Sequence, residues 1–263
     1  LIPQAITRVL RESSTAALAT LIEASRGVGA KLLVEESGSR TSSLTDAAID
    51  EAVARHAPIF LASRAEAKTF RVEELAEVDA EWRGARVLFE RIEPEPHLVI
   101  CGAGHVGAAL ARLALALRYR TTLIDDRADF LSRERFPGEE IELVHARQGW
   151  TAAVRECVGR GRGVSIAVVT RGHNEDEECM RAAISAAPDY LGLIGSKRRT
   201  GIVLERLREA GAEESLLQKV RAPIGLDIGA VSPAEVALAI LAEIVSERRG
   251  GTGTPLSAWR RNE

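Results

Sequence analysis

The run His97-Leu98-Val99-Ile100-Cys101 leads directly into Gly102-Ala103-Gly104-His105-Val106-Gly107, and that leads into an apolar stretch with helical spacing ending near Leu117. A buried strand, a glycine-rich turn and a helix in that order constrain the chain more than any other feature. Parallel strands require crossover connections, and a strand that feeds a helix through so short a turn starts one. The alternation continues downstream. Thr121–Ile124, Ile141–Val144, Val164–Thr170 and Tyr190–Ile194 read as strands, and Glu175–Ala186 and Lys197–Ala210 as helices. A last long helix is framed by Ser232 as N-cap, Pro233 at the first helical position and Glu235 three residues after the cap. Residues 93–250 are therefore expected to form an α/β domain, a Rossmann-like parallel sheet with helices on both faces.

Residues 1–92 have a different rhythm. Strand candidates at Ala16–Glu23, Lys31–Val34, Ile59–Ser63, Lys68–Val72 and Ala85–Glu90 surround one helical segment over Asp46–Arg55. This predicts a smaller N-terminal α+β domain. Glu93-Pro94-Glu95-Pro96 separates the two, because alternate prolines impose extended backbone and exclude a helix. Residues 251–263 read as a loosely ordered C-terminal tail.

Composition removes several classes of function. The chain carries 35 Lys and Arg against 38 Asp and Glu, net charge −3, which gives no broad nucleic-acid surface. No apolar run approaches the roughly 18 residues that a bilayer span needs. Leu1-Ile2-Pro3-Gln4 has neither the charged start nor the apolar core of a secretory signal. Cys101, Cys157 and Cys179 fit neither a disulfide framework nor a zinc ribbon, so a reducing cytoplasmic compartment is expected, with no protein-bound metal.

Four clusters carry candidate chemistry. In the first, Gly102 permits the tight turn, Gly104 lets a phosphate approach the backbone, and Gly107 lets the helix pack closely on the sheet. Free amides and the helix dipole then favour an anion. His105, in the first helical turn, is expected to be neutral and able to exchange a proton, or else to bond the backbone. Asp125 and Asp126, 23 and 24 positions after Gly102, stand where a ribose-binding carboxylate belongs. The second cluster, Thr170-Arg171-Gly172-His173 with Asp176, offers Arg171 to a phosphate and His173 as acid, base or ligand, with Asp176 orienting it. Its plainer reading is a polar turn in which Asn174 caps a helix with an acidic first turn. In the third, Ser196 reads as an N-cap, leaving Lys197 and its neighbours beside an end that attracts anions. The fourth, Pro223–Ala230, is apolar and glycine-rich with the single carboxylate Asp227, as in a loop pressed on a ligand or partner.

Taken together these motifs resemble the xanthine dehydrogenase accessory protein family, the molybdenum-cofactor chaperones. The similarity rests on Ile100–Gly107, on Ile124-Asp125-Asp126-Arg127 with Arg135-Phe136-Pro137, and on Thr170–His173 with Asp176. It extends through Tyr190–Arg198 and Ala222–Ala230 into Pro233-Ala234-Glu235. The resemblance implies a protein that binds the molybdenum cofactor, shields it and hands it to a molybdenum hydroxylase. It also implies a homodimer, with a cysteine desulfurase as a further partner. Upstream, Gly29–Val34 is similar to a strand of the family's N-terminal domain, but the Gly-Cys-rich loop that should follow is absent: Ser37–Leu44 contains no cysteine. The competing expectations are an NAD(P)-dependent oxidoreductase, with His105 or His173 as proton donor, and a subunit that only binds other proteins.

Overall fold

The computed structural model describes residues 1–257 apart from Arg64, Val78, Arg160 and Arg162; the end of the expected tail, 258–263, lies outside the described residues. The chain divides into two compact units, Leu1–Pro94 and Glu95–Glu263, with the division inside the alternating prolines.

In the first unit a helix, α1 (Ile2–Arg11), precedes strands β1 (Ala16–Glu23), β2 (Lys31–Glu35) and β3 (Arg40–Ser43). Helix α2 (Ala47–Ala62) and strands β4 (Ala67–Arg71) and β5 (Arg86–Ile92) follow. The five strands pair antiparallel in the order β3-β2-β1-β5-β4. Strand β1 is buried on both faces because side chains alternate across it: Ala17, Ala19 and Leu21 join the cluster holding Phe60 and Phe89, whereas Ala16 and Leu18 pack with Val9 of α1. Ile59–Ser63 is not a strand but the end of α2. Asp46 accepts hydrogen bonds from the amides of Ala48 and Ile49 and sets the helical phase. That phase buries Ile49, Val53, Ala57 and Phe60 and turns Ile59 to solvent, so helical amphipathicity overrides the β propensity of Ile-Phe-Leu. Helix α1 and strand β3, which the sequence pattern does not single out, complete the unit.

The second unit alternates as expected. Its elements are β6 (His97–Cys101), α3 (His105–Ala116), β7 (Arg120–Asp125), β8 (Ile141–His145), α4 (Trp150–Val158) and β9 (Val164–Val168). They continue with α5 (His173–Ala186), β10 (Tyr190–Leu193), α6 (Lys197–Glu209), the short α7 (Glu214–Leu217) and α8 (Pro233–Arg249). All strand pairs are parallel, in the order β10-β9-β6-β7-β8. Leu98 and Ile100 pack in the cluster that contains residues of α3 and α8, and Val99 and Cys101 in the one that contains residues of α4 and α5. The order reverses beside β6, so the crevice of a switch point opens at its carboxyl end, where ligands of such sheets collect. Helix α8 begins where its sequence signals place it, with a capping box between Ser232 and Glu235 and Pro233 in the first turn, and ends at a left-handed Gly250.

At the opposite end of β6, buried His97 donates from Nε2 to Thr122 Oγ1 (2.8 Å), whose hydroxyl donates to Glu142 Oε2 (2.8 Å). Burial, aided by Arg120, pushes the imidazole down from 6.5 to about 4. The folded chain thus binds this proton less readily than the unfolded one. The stabilisation is complete above 6.5 and is lost as pH falls toward 4. Urea unfolding of the wild type and of His97→Gln should show this: the wild type loses about 3 kcal/mol more than the variant between about pH 7 and about pH 4. Equal losses in the two proteins contradict the assignment.

Candidate functional site

The carboxyl ends of β6, β7, β9 and β10 surround a cleft of about 490 Å³. Its floor is the loop after β6. Gly102 takes φ +115°, and a Cβ there would lie 2.5 Å from the carbonyl oxygen of Val169. A Cβ at Gly107 would lie 1.8 Å from the carbonyl oxygen of Gly102, so only glycine lets α3 sit this close to the strand that feeds it. Gly104 is different. Its φ is −65°, a value open to any residue, and a Cβ would meet nothing within 4 Å. Neither backbone strain nor packing requires glycine there; what a side chain would fill is the cleft.

Ala103, between those glycines, is held from both sides. Its N–H donates to Asp125 Oδ2 (2.7 Å), and its carbonyl accepts from Arg135 Nη2 (3.2 Å). Gly104 is the N-cap of α3 and no side chain caps the helix, so the first-turn amides, His105 and Val106 among them, face the cleft end without an acceptor among the described residues.

Asp125, 1% exposed, accepts from Arg127 as well: the amide and Nε at 2.9 Å on Oδ1, and Nη2 at 3.0 Å on Oδ2. The Arg127 guanidinium lies 3.6 Å from the centre of the Phe130 ring, with Arg135 at 4.8 Å from the same ring. Asp126 pairs with Arg171 through two bonds of 2.7 and 2.8 Å, which hold its carboxyl below the usual range. Both carboxylates expected to meet a ribose hydroxyl are thus engaged by arginine.

Asp176, 0% exposed, accepts from Thr170 Oγ1 and from Arg199 Nε (3.0 Å) and Nη2. Burial pushes its carboxyl upward against those bonds. Arg199, so fixed, lines the cleft.

Of the residues singled out in the sequence, Gly102, Gly104, His105, Asp125 and Arg171 line the cleft. Gly107 lies behind the loop and Asp126 at the rim on Arg171. His173 is the exposed first residue of α5, whose N-cap is Gly172 rather than Asn174. The inward position of that first turn belongs to Asp176, which orients Arg199 and not His173. Ser196 caps α6 by accepting from the Arg199 amide (3.2 Å); it and Lys197 point to solvent because the third helical position is the one turned to the cleft. Asp227 is exposed, off the cleft lining, in a loop anchored by Gly225 N–H donating to Glu243 Oε2 (2.8 Å). Arg127, Phe130, Trp150 and Arg199 line it too, and none of them stands among the site residues legible in the sequence. Arg127 and Arg199 lie inside motifs marked by spacing; Trp150 has only the preceding Gly149 as a signal.

The profile of the XdhC Rossmann domain matches residues 98–244, more than half of the chain. The chain belongs to the XdhC family. The profile of the XdhC and CoxI family matches residues 9–73. Among curated relatives, a Bacillus subtilis protein named as a probable xanthine dehydrogenase component is 29% identical over 62% of this chain and 46% of its own length. The molybdenum cofactor insertion chaperone PaoD of Escherichia coli is 36% identical over 28% of this chain and 24% of its own. The chain spans less than half the length of the curated relatives it matches. A solved xanthine dehydrogenase of Bacillus halodurans has the same fold over 97% of this chain and 69% of its own, with TM-score 0.67 and 18% identity.

The two aspartates of this XdhC cleft should respond differently to truncation. Asp125→Ala leaves the Arg127 guanidinium and the Ala103 amide without their buried acceptor and should cost about 3 kcal/mol in denaturant unfolding. Asp126→Ala, at the rim, should cost less than about 1 kcal/mol. Similar losses for both would contradict the division between a fixed and a superficial carboxylate.

Proposed function

We propose that this XdhC-family chain binds the molybdenum cofactor as cargo, gripping its phosphate at the start of α3, and passes it to a xanthine-dehydrogenase-type molybdenum hydroxylase. The observation that carries the reading is Gly104, a glycine whose absent side chain leaves room in the cleft and nowhere else. A phosphate in that space meets the free first-turn amides and the positive end of the helix dipole. Arg171 and Arg199 stand at the neighbouring strand ends, and Trp150 and Phe130 supply flat apolar surface for a pterin ring. The names of the relatives, an insertion chaperone for this cofactor and a xanthine dehydrogenase component, support the same cargo and client.

The metal end of the cargo carries redox chemistry that belongs to the client. Among the described residues no cysteine lines the cleft. Burial pushes the Cys157 thiol up to about 12 and Cys179 upward too, so neither is a ready thiolate. Among the described residues no three His, Cys, Asp or Glu side chains gather to hold a metal ion. The grip is therefore on the organic part, and the protein acts as a holder without turnover. A second copy of the chain and a cysteine desulfurase complete the set of partners in this reading, which places the work in the cytoplasm. Among the described residues no helix is long and apolar enough to cross a membrane. An NAD(P) oxidoreductase fits less well, since a dinucleotide needs a free carboxylate at the end of β7 and the one in that position, Asp125, is buried and held by Arg127.

Expression in cells that make the cofactor, followed by native mass spectrometry, tests this. Wild-type protein should retain a phosphorylated pterin; Gly104→Val should lose it while thermodynamic stability changes by less than about 1 kcal/mol. Pterin retained by an intact Gly104→Val protein, or a tightly bound nicotinamide in its place, contradicts the proposal.

A further inference from the structure

Among the described residues three guanidiniums line the cleft, each held at close range by one aspartate, and Arg127 has Asp126 at 3.9 Å besides. The partners of Arg127 and Arg199 are Asp125 and Asp176, both inaccessible to solvent. Withdrawing either arginine leaves an uncompensated charge in the interior, so those two cations are fixtures. The third pair differs. Asp126 is 29% exposed and Arg171 47%, and water can take up either partner on separation. Arg171 also has Glu175 Oε1 within 3.4 Å one helical turn on. Asp126 follows β7 and Arg171 follows β9, the strands on either side of β6, so this pair crosses the carboxyl end of β6 in front of the glycine loop.

We propose that Asp126 is an internal stand-in for the ligand's anion: it occupies Arg171 in the free protein and is displaced by a phosphate monoester but not by a phosphodiester. The inference rests on the reading of the cleft as a phosphate site and narrows the cargo to a form ending in a terminal phosphate, as opposed to a dinucleotide.

The selectivity follows from charge. A carboxylate and a phosphodiester each carry one negative charge, so exchanging one for the other on Arg171 gains little. A monoester carries nearly two charges above its second ionisation near about pH 6 and offers three oxygens to the planar fork of Arg171 and the amides of α3. It outcompetes one carboxylate where a diester only matches it. Removing the charge of Asp126 should tighten the binding of both anions, because an internal competitor on Arg171 lowers the apparent affinity of each by the same factor.

The probes are methyl phosphate, a dianion at about pH 8, and dimethyl phosphate, a monoanion. Each is titrated into the full chain, with calorimetry and the fluorescence of Trp150 in the cleft wall as readouts. Wild type should bind methyl phosphate about tenfold more tightly than dimethyl phosphate. Asp126→Asn should bind both probes about three- to tenfold more tightly than wild type does. Weaker methyl phosphate binding by Asp126→Asn would mean that Asp126 itself touches the ligand, and it overturns the proposal, as does unchanged affinity for both probes. Anion binding that Gly104→Val abolishes but Asp126→Asn leaves alone overturns the exchange and keeps the phosphate site. Binding of neither probe to wild type or to Asp126→Asn overturns both.

Discussion

The hydrogen bond from the Ala103 amide to buried Asp125 ties the second unit's first crossover to the end of its second strand. Much of the cleft depends on it. A loop of three small residues, Gly102-Ala103-Gly104, has no side chains of its own to define a shape, and its middle peptide would otherwise be free to rotate. Asp125 fixes the N–H side and Arg135 the carbonyl side, while the 1.8 Å clearance at Gly107 leaves α3 no room for a Cβ where it meets the loop. With the peptide so oriented, the helix start presents amides with no acceptor of their own, and the strand end presents an open space at Gly104. Preorganisation of this kind lowers the ordering cost of binding an anion, since the donors are already aimed.

Carboxylates also balance the charge of the cleft. Arg127, Arg171 and Arg199 bring three positive charges to a small volume, and three aspartates accompany them. Burying cations without partners would be far costlier than the binding could offset. Depth then sorts the pairs: two aspartates are locked inside the unit and the third stands at the mouth, in reach of water.

The fold was legible in the sequence where local rules sufficed. The strand, glycine loop and helix at residues 97–107 need only short-range chemistry, and Ser232, Pro233 and Glu235 form a cap defined within four residues. Ile59–Ser63 misled because its composition favours a strand, while the helix that claims it is set by the distant Asp46 and by burial of every third or fourth residue against β1. At the site the glycines and Asp125 were legible by spacing, but the role of Asp125 was not. Spacing places a carboxylate at the end of β7; it does not say that the amide of Ala103 and the guanidinium of Arg127 will occupy it. Arg199 was hidden for a related reason. Within Gly195–Arg199 the exposed Lys197 and Arg198 look equally fit to bind an anion, and only the buried Asp176, contributed by another helix, selects the third cation.

In the proposed complex the amides at the start of α3 take a phosphate while Ala103 stays with Asp125. Backbone amide NMR during titration with a phosphorylated pterin reads that division directly. The His105 and Val106 resonances should move downfield to saturation, with the Ala103 resonance nearly still because its proton already has an acceptor. Saturable binding that leaves His105 and Val106 unmoved, or that shifts Ala103 most, would contradict it.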